Sequence, residues 1–257
     1  MITDRIQVML EACSTSSRTF PPTILYNESW LLRIILDWFS THQVPNHPLT
    51  FLQDAHWFAE AALPSQFLNN PNGTRLAEGW SHADGVIGHF QIGGQNKTGL
   101  SLLPDATQFV VLEAKLLSGL SAGVNYASYF DQAARSVACI AEVLCRADRH
   151  ASDMAHLGFY VLAPRAQIRQ GTFTKQISRE SISNKVAQRV QAYDGAKNKW
   201  HREWFQPIFP SIKVGLISWE EIITTMQEYD SVSAAGLKEF YRRAIAFNTI
   251  QVGQTPA

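Results

Sequence analysis

Two apolar runs separated by a polar, glycine-rich stretch place the tightest constraint on this chain. They lie between Trp80 and Leu117: WSHADGVIGHFQI comes first and QFVVLEAKLL second, with Gly93, Gly94, Gln95, Asn96, Lys97, Thr98 and Gly99 in the connection. Apolar runs of this length around a Gly/Asn-containing connection read as two antiparallel strands. Asp84 opens the first strand, and Glu113-Ala114-Lys115 closes the second. Buried strands seldom carry charged side chains unless these pair with one another or with a ligand. Asp84, Glu113 and Lys115 are therefore read as one group.

In an antiparallel pair, facing positions have a constant sum. Setting Asp84 against Lys115, and Val86 against Glu113, centres the turn near Thr98–Leu100 and puts all three charges on one face. A slip of one residue would send Asp84 to the other face. Two converging carboxylates repel, and one tends to keep its proton unless a cation lies between them. A hard divalent ion, Mg²⁺ with Mn²⁺ as a substitute, suits Asp84, Glu113 and the Ala114 backbone carbonyl. Lys115 would then be placed to hold a water and offset nearby negative charge.

Asp, a long hairpin, then Glu-x-Lys resembles the PD-(D/E)xK nuclease superfamily, with Asp84, Glu113 and Lys115 at the matching positions. Ala83 stands where that family has proline. A literal Pro104-Asp105 also occurs, but it falls at the turn end of the hairpin, away from the group. The resemblance implies an α/β fold: a restriction-endonuclease-like αβββαβ core over residues 26–164, its mixed sheet flanked by helices. A basic helical and strand extension over 165–250 would complete a single domain spanning 1–257. The activity implied is Mg²⁺-dependent hydrolysis of phosphodiester bonds, in DNA ahead of RNA, in a restriction, defence or repair setting. The resemblance also implies an acidic residue on the helix before the sheet, where Glu28 stands. It implies a glutamine on the helix after the Glu-x-Lys strand, where Gln132 stands with Arg135 one turn on. Ser136 occupies the place of the tyrosine that usually follows that glutamine. The alternative is a catalytically silent nuclease-fold module, a scaffold for protein or nucleic acid, with the carboxylates apart or tied up in a structural ion pair.

The flanking elements fit this order. NESWLLRIILDWFSTH has Asn27 as N-cap, and its Glu28 either complements the helix dipole or serves the site. A strand over Ala55–Leu63 follows, closed by Pro64, with Glu60 exposed on it. VNYASYFDQAARSVACIAEVLCRA reads as one long helix, and HLGFYVLAP as a strand ended by Pro164. SRESISNKVAQRVQAYDG reads as an amphipathic helix and IKVGLISW as a fifth strand, with two helices closing the chain.

Net charge is zero, yet Arg165–Lys213 holds ten Lys/Arg against three acids. Such asymmetry points to a polyanion. Lys185, Arg189, Lys197, Lys199 and Arg202 are its candidate phosphate contacts; the interleaved Trp200, Trp204 and Phe205 either stack on bases or dock on the core. Three scattered cysteines, Cys13, Cys139 and Cys145, show no metal-binding spacing and fit a reducing, cytoplasmic setting. No uncharged run is long enough for a membrane span. A homodimer or a recruiting protein partner is compatible with the sequence. Neither a nucleophile elbow nor a phosphate-binding glycine loop occurs.

Overall fold

The computed structural model describes residues 2–13, 20–68, 78–79, 81–93, 97, 99–123 and 127–251. Strands β1 (His56–Leu63), β2 (Ser81–Gly88), β5 (Gln108–Ala114), β6 (His156–Ala163) and β7 (Lys213–Ser218) form one sheet in the order β1-β2-β5-β6-β7. The first three are antiparallel neighbours, whereas β5, β6 and β7 run parallel. A short ribbon, β3 (Phe90–Ile92) with β4 (Leu100–Leu102), stands apart from the sheet.

Helix α1 covers Ile2–Cys13 and α2 covers Glu28–Thr41. Asn27 caps α2 by accepting the Trp30 N–H, as the sequence indicates. Helix α3 spans Gln132–Arg146 and carries the chain from β5 to β6, the crossover that parallel strands require. It starts later than the apolar pattern suggests. Asp131 accepts the Ala134 N–H and fixes the N-terminus there, so residues 127–131 are not helical. Helices α4 (Arg179–Gln191), α5 (Trp219–Tyr229) and α6 (Ser231–Gln251) complete the flanks.

The central strands are buried on both faces, and their alternation sorts the core into two layers. Phe109, Val111, Phe159 and Val161 pack with α3, α4 and the Trp200–Phe209 region. Val110, Leu112, Ala114, Tyr160 and Leu162 pack with α2, α5 and α6. The sequence of α2, three sheet strands, α3 and β6 is the expected α/β order, with a mixed sheet between helical layers. Among the described residues, no helix is long and apolar enough to cross a membrane.

The connection between β2 and β5 is more than a turn. Gly88 has φ 153°, and a Cβ there would lie 2.2 Å from the Gln108 carbonyl oxygen, so only glycine permits the chain to leave the sheet at this point. His89 then accepts the Thr107 and Gln108 N–H groups at Nδ1, and the ribbon begins. Gly94, Gln95, Asn96 and Thr98, assigned to the turn from sequence, lie outside the described residues, as does Trp80.

Candidate active site

The register of β2 against β5 differs by two from the one expected. Gly85 faces Leu112 and Val86 faces Val111, so continuing the ladder sets Asp84 against Glu113 instead of Lys115. A displacement of two keeps every side chain on its face. Residues 103–107, between the ribbon and β5, make the return path longer than the outward one, so facing positions sum to 192 in the ribbon and to 197 in the sheet. Pro104-Asp105 falls in that segment, away from the charged group.

At the end of β5, Lys115 Nζ lies 3.8 Å from Asp84 Oδ2 and 3.7 Å from Glu113 Oε2. Asp84 also accepts the Ala114 N–H at 2.8 Å, which ties its carboxylate to the neighbouring strand. Lys115 is held through its backbone: its N–H donates to the Leu162 carbonyl, and its carbonyl accepts the Trp219 indole N–H at 3.0 Å. Trp219 is fully buried at the start of α5, so it locks the strand end from the opposite layer.

Glu113 is completely buried. Burial raises its carboxyl well above the usual carboxylate range, and the Asp84 carboxylate facing it adds to the rise; Lys115 and the Ser136 hydroxyl oppose it. Gln132 donates its side-chain amide to Glu113 Oε2, and Ser136 donates to Oε1 at 3.2 Å. The Gln132 carbonyl oxygen accepts the Ser121 N–H and hydroxyl, and Arg135 donates to the same hydroxyl. Gln132 and Arg135 thus converge, as expected, but on different tasks: one holds Glu113, the other braces the loop that holds Gln132.

The donors fit a hard divalent ion in a limited set. Asp84 and Glu113 meet at one lysine, and a strand residue sends its N–H and C=O to the same edge, so the Ala114 carbonyl turns toward Asp84. Waters would fill the remaining positions of such an ion, which takes few protein ligands when it is Mg²⁺. No group of three or more His, Cys, Asp or Glu side chains suited to a metal occurs among the described residues. Glu28 is not brought into the cluster by any contact shown; it lies in the first turn of α2, consistent with the dipole role. Glu60, which the β1–β2 ladder skips between Ala59 and Ala61, has φ 57° and is exposed, with Arg33 3.6 Å away.

Most cations of the basic segment stand at the surface, but three of the five candidate phosphate contacts are engaged within the fold. Arg189, expected at a phosphate, is fully buried with its Nε 3.1 Å from Glu78 and its guanidinium over Phe67, Phe130 and Tyr193. It therefore offers no surface to a polyanion. Lys185 pairs with Asp131 at 2.6 Å, and Lys197 donates to Gln66. Lys199 and Arg202 are exposed, with side chains 83% and 67% accessible, and both pair with Glu203, at 4.0 and 2.8 Å. Trp200 and Phe205 are buried in the core, and Trp204 stacks on His150.

Ser136, Ser121 and Trp219 are the supporting residues that the sequence reading passed over. Ser136 had a signal: a polar residue one turn after Gln132, on the same face of the helix. Ser121 and Trp219 had none: Ser121 sits in an irregular loop whose path no periodicity sets, and Trp219 reaches Lys115 from 104 residues further along the chain.

Comparison of the chain with protein-family models, with curated proteins and with solved structures returns no match.

Proposed function

We propose that this protein is a Mg²⁺-dependent nuclease that hydrolyses phosphodiester bonds, with DNA as the substrate and Mn²⁺ able to replace Mg²⁺. The observation that carries the reading is the meeting of Asp84 and Glu113 at Lys115 on a strand end, with Glu113 wholly buried. A buried acid aimed at a second acid is costly for folding and is the type of arrangement expected at functional sites. It also agrees with the PD-(D/E)xK resemblance of the sequence.

In this reading Asp84, Glu113 and the Ala114 carbonyl hold the ion. When bound, the ion supplies Lewis-acid polarisation of the phosphate and of a water. Lys115 positions that water and offsets charge on the phosphate. Gln132 and Ser136 orient the Glu113 carboxylate, and Trp219 fixes the peptide that carries Lys115.

The scaffold reading draws on the same ion pairs, since Lys115 neutralises two acids. Their lengths favour the nuclease. At 3.7 and 3.8 Å they exceed the roughly 2.7–2.9 Å of a committed charged hydrogen bond, so the ammonium is shared loosely between the carboxylates.

Titration calorimetry with Mg²⁺ and Mn²⁺, run beside cleavage assays on single- and double-stranded DNA and on RNA, tests this. Native protein should bind the ion and cut DNA; Asp84→Ala and Glu113→Ala should do neither, and Lys115→Ala should bind without cutting. Absence of metal binding by the native protein, with DNA present, would transfer the case to the scaffold.

A further inference from the structure

Arg135 is a cation whose charge the fold leaves uncompensated. Among the described residues its only side-chain hydrogen bond goes to the Ser121 hydroxyl, at 3.3 Å, and no carboxylate lies within ion-pair distance. Its other guanidinium N–H groups are not sealed from water. The neighbouring cations are committed: Lys115 lies between Asp84 and Glu113, Lys185 is 2.6 Å from Asp131, and Arg189 is 3.1 Å from Glu78. Arg135 also stands in the first turn of α3, where the helix dipole disfavours a positive charge. One long hydrogen bond to a hydroxyl is a small gain against that placement. An anion brought from outside would answer the charge.

Three hydrogen bonds connect this guanidinium to the candidate cluster. Arg135 donates to Ser121 Oγ, Ser121 Oγ donates to Gln132 Oε1 at 3.3 Å, and the Gln132 amide donates to Glu113 Oε2. The Ser121 N–H reaches the same Gln132 oxygen at 3.1 Å, and the Gln132 N–H donates to the Ser121 carbonyl, so loop and helix start are clasped together. The guanidinium is thus held in place near the cluster with most of its fork unused. Phosphates along one strand recur at about 3.4 Å of helix axis, so a short chain of contacts spans on the order of one to three nucleotides. A planar fork of N–H donors matches the oxygens of a phosphate.

We propose that Arg135 grips a second phosphate of the substrate, close to the one being cut, with the Ser121 hydroxyl holding the guanidinium in position. The proposal rests on the nuclease reading and adds the substrate class: a polynucleotide that carries a further phosphate beside the scissile one, not an isolated phosphodiester. Arg135 is then a binding residue, and its link to Gln132 is the means by which a bound strand is aligned with Glu113.

Fluorescence anisotropy of a labelled DNA oligonucleotide, in EDTA and across a range of salt, tests this on the full chain. Arg135→Gln should weaken binding about tenfold and lower the slope of log affinity against log salt by about one. Ser121→Ala loosens the same brace and keeps the charge, so its slope should equal the native one. Mn²⁺ affinity should fall no further in Arg135→Gln than in Ser121→Ala. With Mg²⁺ present, Arg135→Gln should raise KM for DNA about tenfold, yet leave hydrolysis of bis(p-nitrophenyl) phosphate, which has one phosphate, at the Ser121→Ala level. Where Arg135→Gln melts below the native protein, Arg135→Lys takes its place: the slope should hold while affinity drops, because one charge remains and the fork is gone, and unchanged affinity overturns the proposal. Equal slopes in native protein and Arg135→Gln overturn it, as does a native protein that binds no DNA in EDTA. If native protein then still binds Mn²⁺ and cuts DNA, the nuclease reading stands without this subsite. If the slope falls as expected while native protein binds no Mn²⁺ and cuts nothing, the phosphate contact stands and the nuclease reading falls.

Discussion

Glu113 turns a question of function into one of stability. Its pKa is raised above 4.5 in the folded chain, chiefly by burial, so the folded protein holds a proton that the unfolded chain gives up. Its contribution is therefore fully present below about pH 4.5 and fades as pH rises toward the folded-state pKa. Glu113→Gln keeps the shape and removes this liability. Urea unfolding across pH 4.5–8 should show a smaller loss of stability with rising pH in the variant, and identical slopes would refute the burial argument. His47 gives the opposite dependence. Burial lowers it to about 4, and its Nδ1 accepts the Leu49 N–H, which only a neutral ring can do. Stability from this residue is present above about pH 6.5 and is lost as pH falls toward 4, on the order of 2–3 kcal/mol after allowing for partial exposure. In His47→Gln, the acid limb of a pH–melting profile should shrink accordingly.

At the level of elements, what could be read in advance followed from periodicity, and what could not came from connections. Alternation along β2 and β5 put Asp84 and Glu113 on one face, and the two-residue difference in register left that result intact. The ribbon was hidden because Phe90–Ile92 extends the apolar pattern of β2 without a break, and Gly88 looks like any strand glycine until its φ is seen. The late start of α3 was hidden for a similar reason: residues 127–131 share the helical composition, and only the Asp131 cap decides. The burial of Arg189 is legible in its spacing. The residue lies seven residues after Ile182 and three after Val186, on the buried stripe of α4, where a charge must find a partner inside. Glu78 is that partner. Arg189→Ala should cost about 3–5 kcal/mol by leaving Glu78 buried and unmatched, whereas replacing both with apolar residues should cost much less. Denaturant midpoints for the single and double variants would measure the difference. Equal losses would mean that packing, and not charge, sets the cost.

For the whole molecule, the candidate site couples ion binding to the stability of two layers at once. Glu113 is held by α3 on one side of the sheet, while Lys115 is held by Trp219 and α5 on the other. Without a divalent ion, the two carboxylates are offset by a single loosely placed ammonium. An ion that binds the folded chain and not the unfolded one stabilises the fold by mass action, about 2.7 kcal/mol at a hundred times its dissociation constant. For a domain of this size that corresponds to a rise of roughly 5–10 °C in melting temperature. The rise should grow with pH, because the proton raised onto Glu113 has to leave when the ion enters. Melting curves with Mn²⁺ at pH 6 and pH 8 would therefore show a concentration-dependent shift, larger at the higher pH. Asp84→Ala and Glu113→Gln should remove the shift. Trp219→Phe should reduce it, since the indole bond to the Lys115 carbonyl is lost while the ring volume is mostly kept. A shift that survives in Asp84→Ala would place the ion elsewhere, and a shift independent of pH would mean that Glu113 enters the complex with its proton.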